Sequence, residues 1–375
     1  MTHRLPSTQH HLKEGLAAGL HIGAQLYVSR QGEVVADLAM SEARPAPGSV
    51  PMTPEHLTLW MSSTKAITSV AVAQQVERGA LELDARVADY LPDFAQGGKE
   101  NITLRHVLTH TGGFRPTPFE HPDDDWQTII AKLCAMPIER DWQPGEKAGY
   151  HVHTGWFLLA ELVQRASGER FPAYVRQHIF EPVGMHDSWI GMPAERYDAC
   201  GDRIAVMMDT NKGTSGGEAK PYVDPADLKA WITHPRPSGN GYGPVRELGY
   251  FYEALLHGGE RHGQRILQPD TVATFTARHR VDTYDHTFRH TMDWGLGFMV
   301  DSKRHGADTV PYGFGDHASE QAFGHSGSQS SAGFADPAHG LVVAVVFNGM
   351  PGEPRHQRRV RDVLSAVYED LGLGE

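Results

Sequence analysis

Strand-like segments stand at the two ends of this chain and helix-like segments fill its middle, and that segregation limits the folds open to it. In "GAQLYVSRQGEVVADLAM" (23–40), Leu26 and Val28, then Val34, Ala36 and Leu38, recur with a period of two around Gln31-Gly32. The pattern predicts an antiparallel hairpin with a tight turn. In the last third, "WGLGFMVD" (294–301), "SSAGFAD" (330–336) and "GLVVAVVFN" (340–348) read as strands. A closing helix over about 354–371 places Val360, Val363, Leu364, Val367 and Leu371 on one face. A first helix ends near Gly19.

Between these ends the chain reads differently. Residues 41–54 predict a loop, "HLTLW" (56–60) a short strand, and "SSTKAITSVAVAQQVERG" (62–79) a helix with Ile67, Val70 and Ala71 on one face and Gly79 as its stop. Further helices are expected over 103–114, ended by Gly112-Gly113, over 155–168, closed by Gly168, and over 244–259. Residues 201–224 read as a polar, mobile loop. One arrangement satisfies this order: an α/β (α+β) fold in which both ends build an antiparallel sheet flanked by helices, and a mostly helical lobe is inserted. The expected division is 1–60 with 225–375 against 61–224, with the site at the junction.

Composition removes several classes of function. The formal net charge of −12 argues against a nucleic-acid partner. No apolar run reaches about 18 residues, so no membrane span is expected. "MTHRLPSTQHHLKEG" lacks the apolar core of a signal peptide, and a cytoplasmic location follows as the expectation. Cys134 and Cys200 form no CxxC pair and read as inert buried thiols.

The chemistry starts at "WMSSTKAI" (60–67). Ser62 and Lys65 are three apart, so a helix puts them on one face. Ser62 falls at the first turn, where free backbone N–H groups and the helix dipole favour negative charge. Lys65 falls one turn deeper on an apolar face, where lost hydration lowers its pKa. A neutral amine beside a hydroxyl takes its proton and makes a nucleophile of it. Tyr150, in "PGEKAGYHVHTGW" (144–156), stands before an apolar helix and has the chemistry of a base and later an acid beside a lysine. "FGHSGSQSSAGFADP" (323–337) opens a strand with small residues, and a backbone N–H near Ser328 paired with that of Ser62 would make an oxyanion hole.

In this order the three segments resemble the serine β-lactamase and penicillin-binding-protein superfamily. The resemblance is closest to its class C-like branch, which includes the family VIII carboxylesterases and D-aminopeptidases. It extends through "KAITSVAVAQQVERGALELDARVADYLPDF", "ITLRHVLTHTGGF", "WGLGF" and "GFADPAHGLVVAVVFNGM", from about residue 15 to 370. It implies a β-lactamase-like fold and no cofactor. It also implies Ser62 as nucleophile, Lys65 as its partner, Tyr150 as general base and acid, and His325-Ser326-Gly327 in the K-T-G position, with Ser328 as an oxyanion donor. Two departures stand out. Tyr150-His151-Val152 replaces Tyr-x-Asn, so His151 or His153 is expected near the substrate. His325 replaces lysine, and a mostly neutral imidazole there is expected to donate a hydrogen bond. The implied activity is a carboxylesterase on short or compact acyl esters. A β-lactamase, a D-aminopeptidase or other amide hydrolase, an acyltransferase, and a sensor that acylates without turnover stay open. The partner is a small-molecule ester or amide, and homo-oligomerisation stays open.

Other signals weigh less. "GTSGG" (213–217) matches G-x-S-x-G at Ser215 but lacks the strand and helix that the motif needs. His151 with His153, and His286 with His290, have metal-ligand spacing without a carboxylate cluster, so no metal is expected. Loops at 115–130 and 201–240, with Trp126, Trp231 and Tyr242, are expected to wall the pocket.

Overall fold

The computed structural model describes residues 5–213 and 217–374. Ser215 lies outside them. The fold joins one large antiparallel sheet with helices on both of its faces. Its centre is a nine-stranded antiparallel sheet built from β1 (Gly23–Arg30), β2 (Glu33–Arg44), β3 (Val50–Pro51), β4 (Arg280–Asp285), β5 (His290–Trp294), β6 (Met299–Val300), β7 (Phe323–Gly327), β8 (Ser331–Asp336) and β9 (Leu341–Phe347). Their spatial order is β4-β5-β6-β7-β8-β9-β1-β2-β3, so β9 joins the C-terminal strands to the N-terminal hairpin.

The period of two decides which side chain meets which layer. On one face, Leu26 and Val28 of β1 and Val343 and Val345 of β9 pack with Leu12 of α1 (Pro6–Ala17). The last helix, α5 (Glu353–Asp370), adds Val360, Val363, Leu364 and Val367 to the same cluster. On the other face, Tyr27, Val342, Ala344 and Val346 belong to the core that includes Leu248 and Tyr252 of α4 (Val245–Leu256). Each such aliphatic side chain contributes about 1.5–3 kcal/mol on burial. In the middle of the chain, α2 (Lys65–Glu77) is buried from Lys65 to Gln75, and it packs against α3 (Thr154–Ser167). A helix buried on every side is the reason its amphipathic signal is weak.

Several local readings change. Val34 is 49% exposed, and Val35 is buried in its place. Pairing jumps from Val28–Ala36 to Ser29–Val34, so Val35 is the extra residue of a bulge and the alternation reverses there. Residues 41–54 are not all loop: β2 runs to Arg44, and β3 is an edge strand that tolerates Pro51. "WGLGFMVD" is two strands, because Gly297 turns the chain at φ +79. The helix expected over 103–114 is only Leu104–Leu108. The 201–224 segment contributes short strands Met208–Asp209 and Lys220–Pro221. "HLTLW" pairs only through Thr58–Leu59, in a small separate sheet. No helix among the described residues is long and apolar enough to cross a membrane.

Candidate active site

Ser62 lies in a tight 3₁₀ turn, Met61–Thr64, that leads directly into α2. Met61 holds φ +47, an uncommon conformation for a side-chain-bearing residue. Neighbours on the sheet hold the turn there. The Ser63 and Ser331 hydroxyls are 2.9 Å apart. Ser63 Oγ donates to the His325 carbonyl at 2.9 Å, and Ser331 Oγ to the Trp60 carbonyl at 2.6 Å. The turn is thereby stitched to β7 and β8.

Gly327 serves this contact. A Cβ there would lie 2.2 Å from Ser331 Oγ and 2.4 Å from the Trp60 carbonyl oxygen. Gly327, the last residue of the expected His325-Ser326-Gly327 substrate segment, backs onto the turn that carries Ser62. Gly327→Ala should cost about 1–3 kcal/mol of stability from this overpacking, read by urea denaturation. A variant as stable as the native chain would show that β7 and the turn can separate freely.

Lys65 is fully buried. Its Nζ lies 2.9 Å from Ser62 Oγ and donates to the Ser238 carbonyl at 2.6 Å. No carboxylate pairs with it among the described residues. The Tyr150 and Trp156 ring centroids are 5.1 and 5.6 Å from Nζ. Burial, with Arg236 as a second cationic neighbour, holds the amine well below the ordinary lysine range. The neutral form can accept the Ser62 proton.

Tyr150 is 6% exposed, and its hydroxyl is directed to Ser62. Burial pushes the phenol pKa up, so the group is a neutral phenol rather than a phenolate. Its backbone is clamped from β4. Asp285 Oδ1 accepts the N–H groups of Tyr150, Thr287 and Phe288 at 3.1, 2.9 and 3.0 Å. Asp285 Oδ2 accepts from Arg280 at 3.1 Å, and Arg280 also donates to the Thr109 carbonyl. His110 packs its ring 4.7 Å from the Tyr150 ring and accepts the His151 N–H at 3.0 Å.

Ser62, Tyr150, His325, Ser326 and Ser328 line one cleft of about 490 Å³. Its other walls are largely apolar, with Val152, Phe288, Met299 and Tyr312 among them. His325 Nδ1 is 2.8 Å from the Ser326 carbonyl. A carbonyl only accepts, so Nδ1 carries the proton and Nε2 carries the lone pair. The expected hydrogen-bond donor is therefore an acceptor toward the site, and Nε2 is buried without a hydrogen-bond partner. Burial first, and Lys65 second, push the imidazole down to about 3.

Comparison with known proteins identifies the family. The Beta-lactamase family model covers residues 8–368. The chain belongs to the beta-lactamase family. It is similar to a penicillin-binding-protein homologue from Caulobacter crescentus, with a TM-score of 0.80 and 31% identity over 98% of this chain and 97% of that one. It is also similar to a family VIII carboxylesterase, with a TM-score of 0.80 and 27% identity over 98% and 97% of the two chains. In sequence it is 26% identical to the esterase/beta-lactamase LipL of Mycobacterium tuberculosis, over 87% of this chain and 77% of that protein.

Within this beta-lactamase-family hydrolase, some expected site residues lie elsewhere. His151 is fully buried behind the cleft, where its Nε2 accepts the Phe114 N–H at 3.3 Å. His153 does not line the cleft; its Nδ1 lies 2.8 Å from Ser238 Oγ, on the residue whose carbonyl holds Lys65. Both histidines are thus used inside the protein, and His290 is bonded to Thr291 and Thr309. Trp231 and Tyr242 are buried in the core, and Trp126 lines a different surface cleft beside Pro122. None of residues 115–130 lines the cleft at Ser62. Cys134 and Cys200 are free and buried, and burial raises both thiols.

The residues missed by sequence reading are Arg280, Asp285, Ser238 and the Phe288–Tyr312 wall. "RVDTYD" (280–285) reads as a polar surface strand. Nothing local to it says that its two ends meet in the interior.

Proposed function

We propose that the protein is a cofactor-free serine carboxylesterase that forms an acyl-enzyme at Ser62, on short or compact acyl esters. The observation that carries this is the buried Lys65 amine, with no carboxylate partner among the described residues, 2.9 Å from Ser62 Oγ, which lines a largely apolar cleft. Ser62 Oγ attacks the ester carbonyl while its proton passes to Lys65 Nζ. The backbone N–H groups of Ser62 and Ser328 receive the tetrahedral oxyanion. Collapse expels the alkoxide, which takes the Tyr150 hydroxyl proton, and Lys65 returns a proton to Tyr150. Water then attacks the acyl-enzyme by the reverse proton route, releasing the acid and restoring Ser62. The His325 imidazole supports ester over β-lactam substrates, because a neutral ring lacks the fixed positive charge that attracts a carboxylate.

The test is steady-state hydrolysis of p-nitrophenyl acetate and butyrate beside nitrocefin. Many turnovers on the esters with little on nitrocefin are expected. A burst that stops at one equivalent of p-nitrophenol would replace the esterase by a non-turnover sensor. Nitrocefin turnover exceeding that of the esters would make it a β-lactamase.

A further inference from the structure

The cleft wall that continues from Tyr150 has a distinct chemistry. Three aromatic rings stand in a row along the wall. Tyr150 and Phe288 have ring centroids 4.8 Å apart, and Phe288 and Tyr312 have theirs 5.9 Å apart. Glu353, the first residue of α5, follows Tyr312 on the same lining. The Tyr312 hydroxyl donates to the Glu353 carboxylate at 2.7 Å and fixes its direction. Glu353 is the one acidic side chain among the described residues that line the cleft, and no lysine or arginine lines it. No cation pairs with Glu353 among the described residues.

Aromatic faces next to a carboxylate form the environment that attracts an ammonium group. The ring quadrupole draws a cation to its face, and the carboxylate supplies the opposite charge. The same lining repels an anionic substrate. Resting on the esterase reading of this same cleft, we propose that the preferred substrates carry a cationic, ammonium-type group a few bonds from the scissile carbonyl, held by Glu353 and the Phe288 and Tyr312 rings. Glu353 is then a specificity-determining residue that takes no part in the acyl transfer itself. Its place at the start of a helix also suits a negative charge structurally, so the test has to read selectivity rather than stability.

Two pairs of esters of matched shape serve. On the acyl side, p-nitrophenyl trimethylammoniobutyrate is compared with p-nitrophenyl dimethylhexanoate. On the alcohol side, choline butyrate is compared with dimethylbutyl butyrate. In at least one pair the cationic member should have a kcat/KM about three- to tenfold higher, the range expected for a partly exposed ion pair with cation–π support. That ratio should approach one in Glu353→Gln, which keeps an acceptor for Tyr312, and should shrink in about 1 M salt. Glu353→Lys should reverse the order in favour of mono-p-nitrophenyl glutarate. A native ratio near one in both pairs, with the neutral esters still turned over, would overturn the ammonium site and leave the esterase standing. So would a ratio that Glu353→Gln does not change. Failure to turn over any of these esters, neutral or charged, would overturn the esterase reading and the ammonium site with it.

Discussion

Ser62→Ala and Lys65→Met will each lower kcat/KM for p-nitrophenyl butyrate by at least about 10⁴-fold, and the double variant will be no worse than either. A nucleophile and the base that activates it act as a unit, so the second loss finds nothing left to remove. The two variants should part company in stability. Lys65 has no carboxylate partner among the described residues and is fully buried, and methionine fills a similar volume without needing solvation. Lys65→Met should gain about 1–3 kcal/mol, whereas Ser62→Ala should change little. The gain depends on pH in a defined direction. The folded pKa of Lys65 lies below its unfolded value of about 10.4. Between the two, the unfolded chain holds the extra proton, so native stability rises with pH across that window. The advantage of Lys65→Met should be greatest at low pH and should vanish near pH 10.4. Native activity should fall as pH drops through the lowered Lys65 pKa, since only the neutral amine accepts the Ser62 proton. His325, pushed down to about 3, adds no inflection near neutrality. Urea titrations and pH–rate profiles read both effects. A stability difference that grows with pH would contradict the buried neutral lysine.

Asp285→Ala should cost about 3–5 kcal/mol. It leaves Arg280, itself 4% exposed, as an uncompensated buried charge and removes the acceptor of three backbone N–H groups. Burial already lowers the Arg280 guanidinium to about 10, despite the Asp285 carboxylate beside it. Replacing both partners, as Arg280→Met with Asp285→Leu, should recover only the part of the loss that comes from the unpaired Arg280 charge, because the three backbone N–H groups still lack their acceptor. Activity should not recover with it. The Tyr150 N–H still lacks its acceptor, and a loosened Tyr150 should lower kcat by about 10- to 100-fold. Denaturant midpoints beside kcat for the single and paired variants separate the two roles. Full activity in the paired variant would show that the clamp does not position Tyr150.

Much of the architecture was legible because it is written in short-range pattern. The period of two in β1 and β9 and the 3.6-residue period of α5 follow from backbone geometry alone. They assign faces correctly until a bulge intervenes, as at Val35. The Ser62–Lys65 pair was legible for the same reason: three residues on a helical turn are neighbours whatever the rest of the chain does. Trp126, Trp231 and Tyr242 were misplaced because an aromatic residue in a loop-rich stretch carries no mark of whether it faces a cleft or the core.

The sequence by itself therefore determined the elements, the order of the layers and the adjacency of Ser62 and Lys65, all of which depend on residues within about a turn or a strand of each other. Only the tertiary structure decided the rest. It set Asp285 under Tyr150, Gly327 against Trp60, the Ser238 carbonyl on Lys65, and Glu353 on the wall of the cleft. These contacts join residues from 135 to more than 250 positions apart, and their energy is that of burial, which exists only once the layers have closed. Burial is also what lowers the lysine and histidine pKa values, and burial is a property of the packed chain, not of any segment of it.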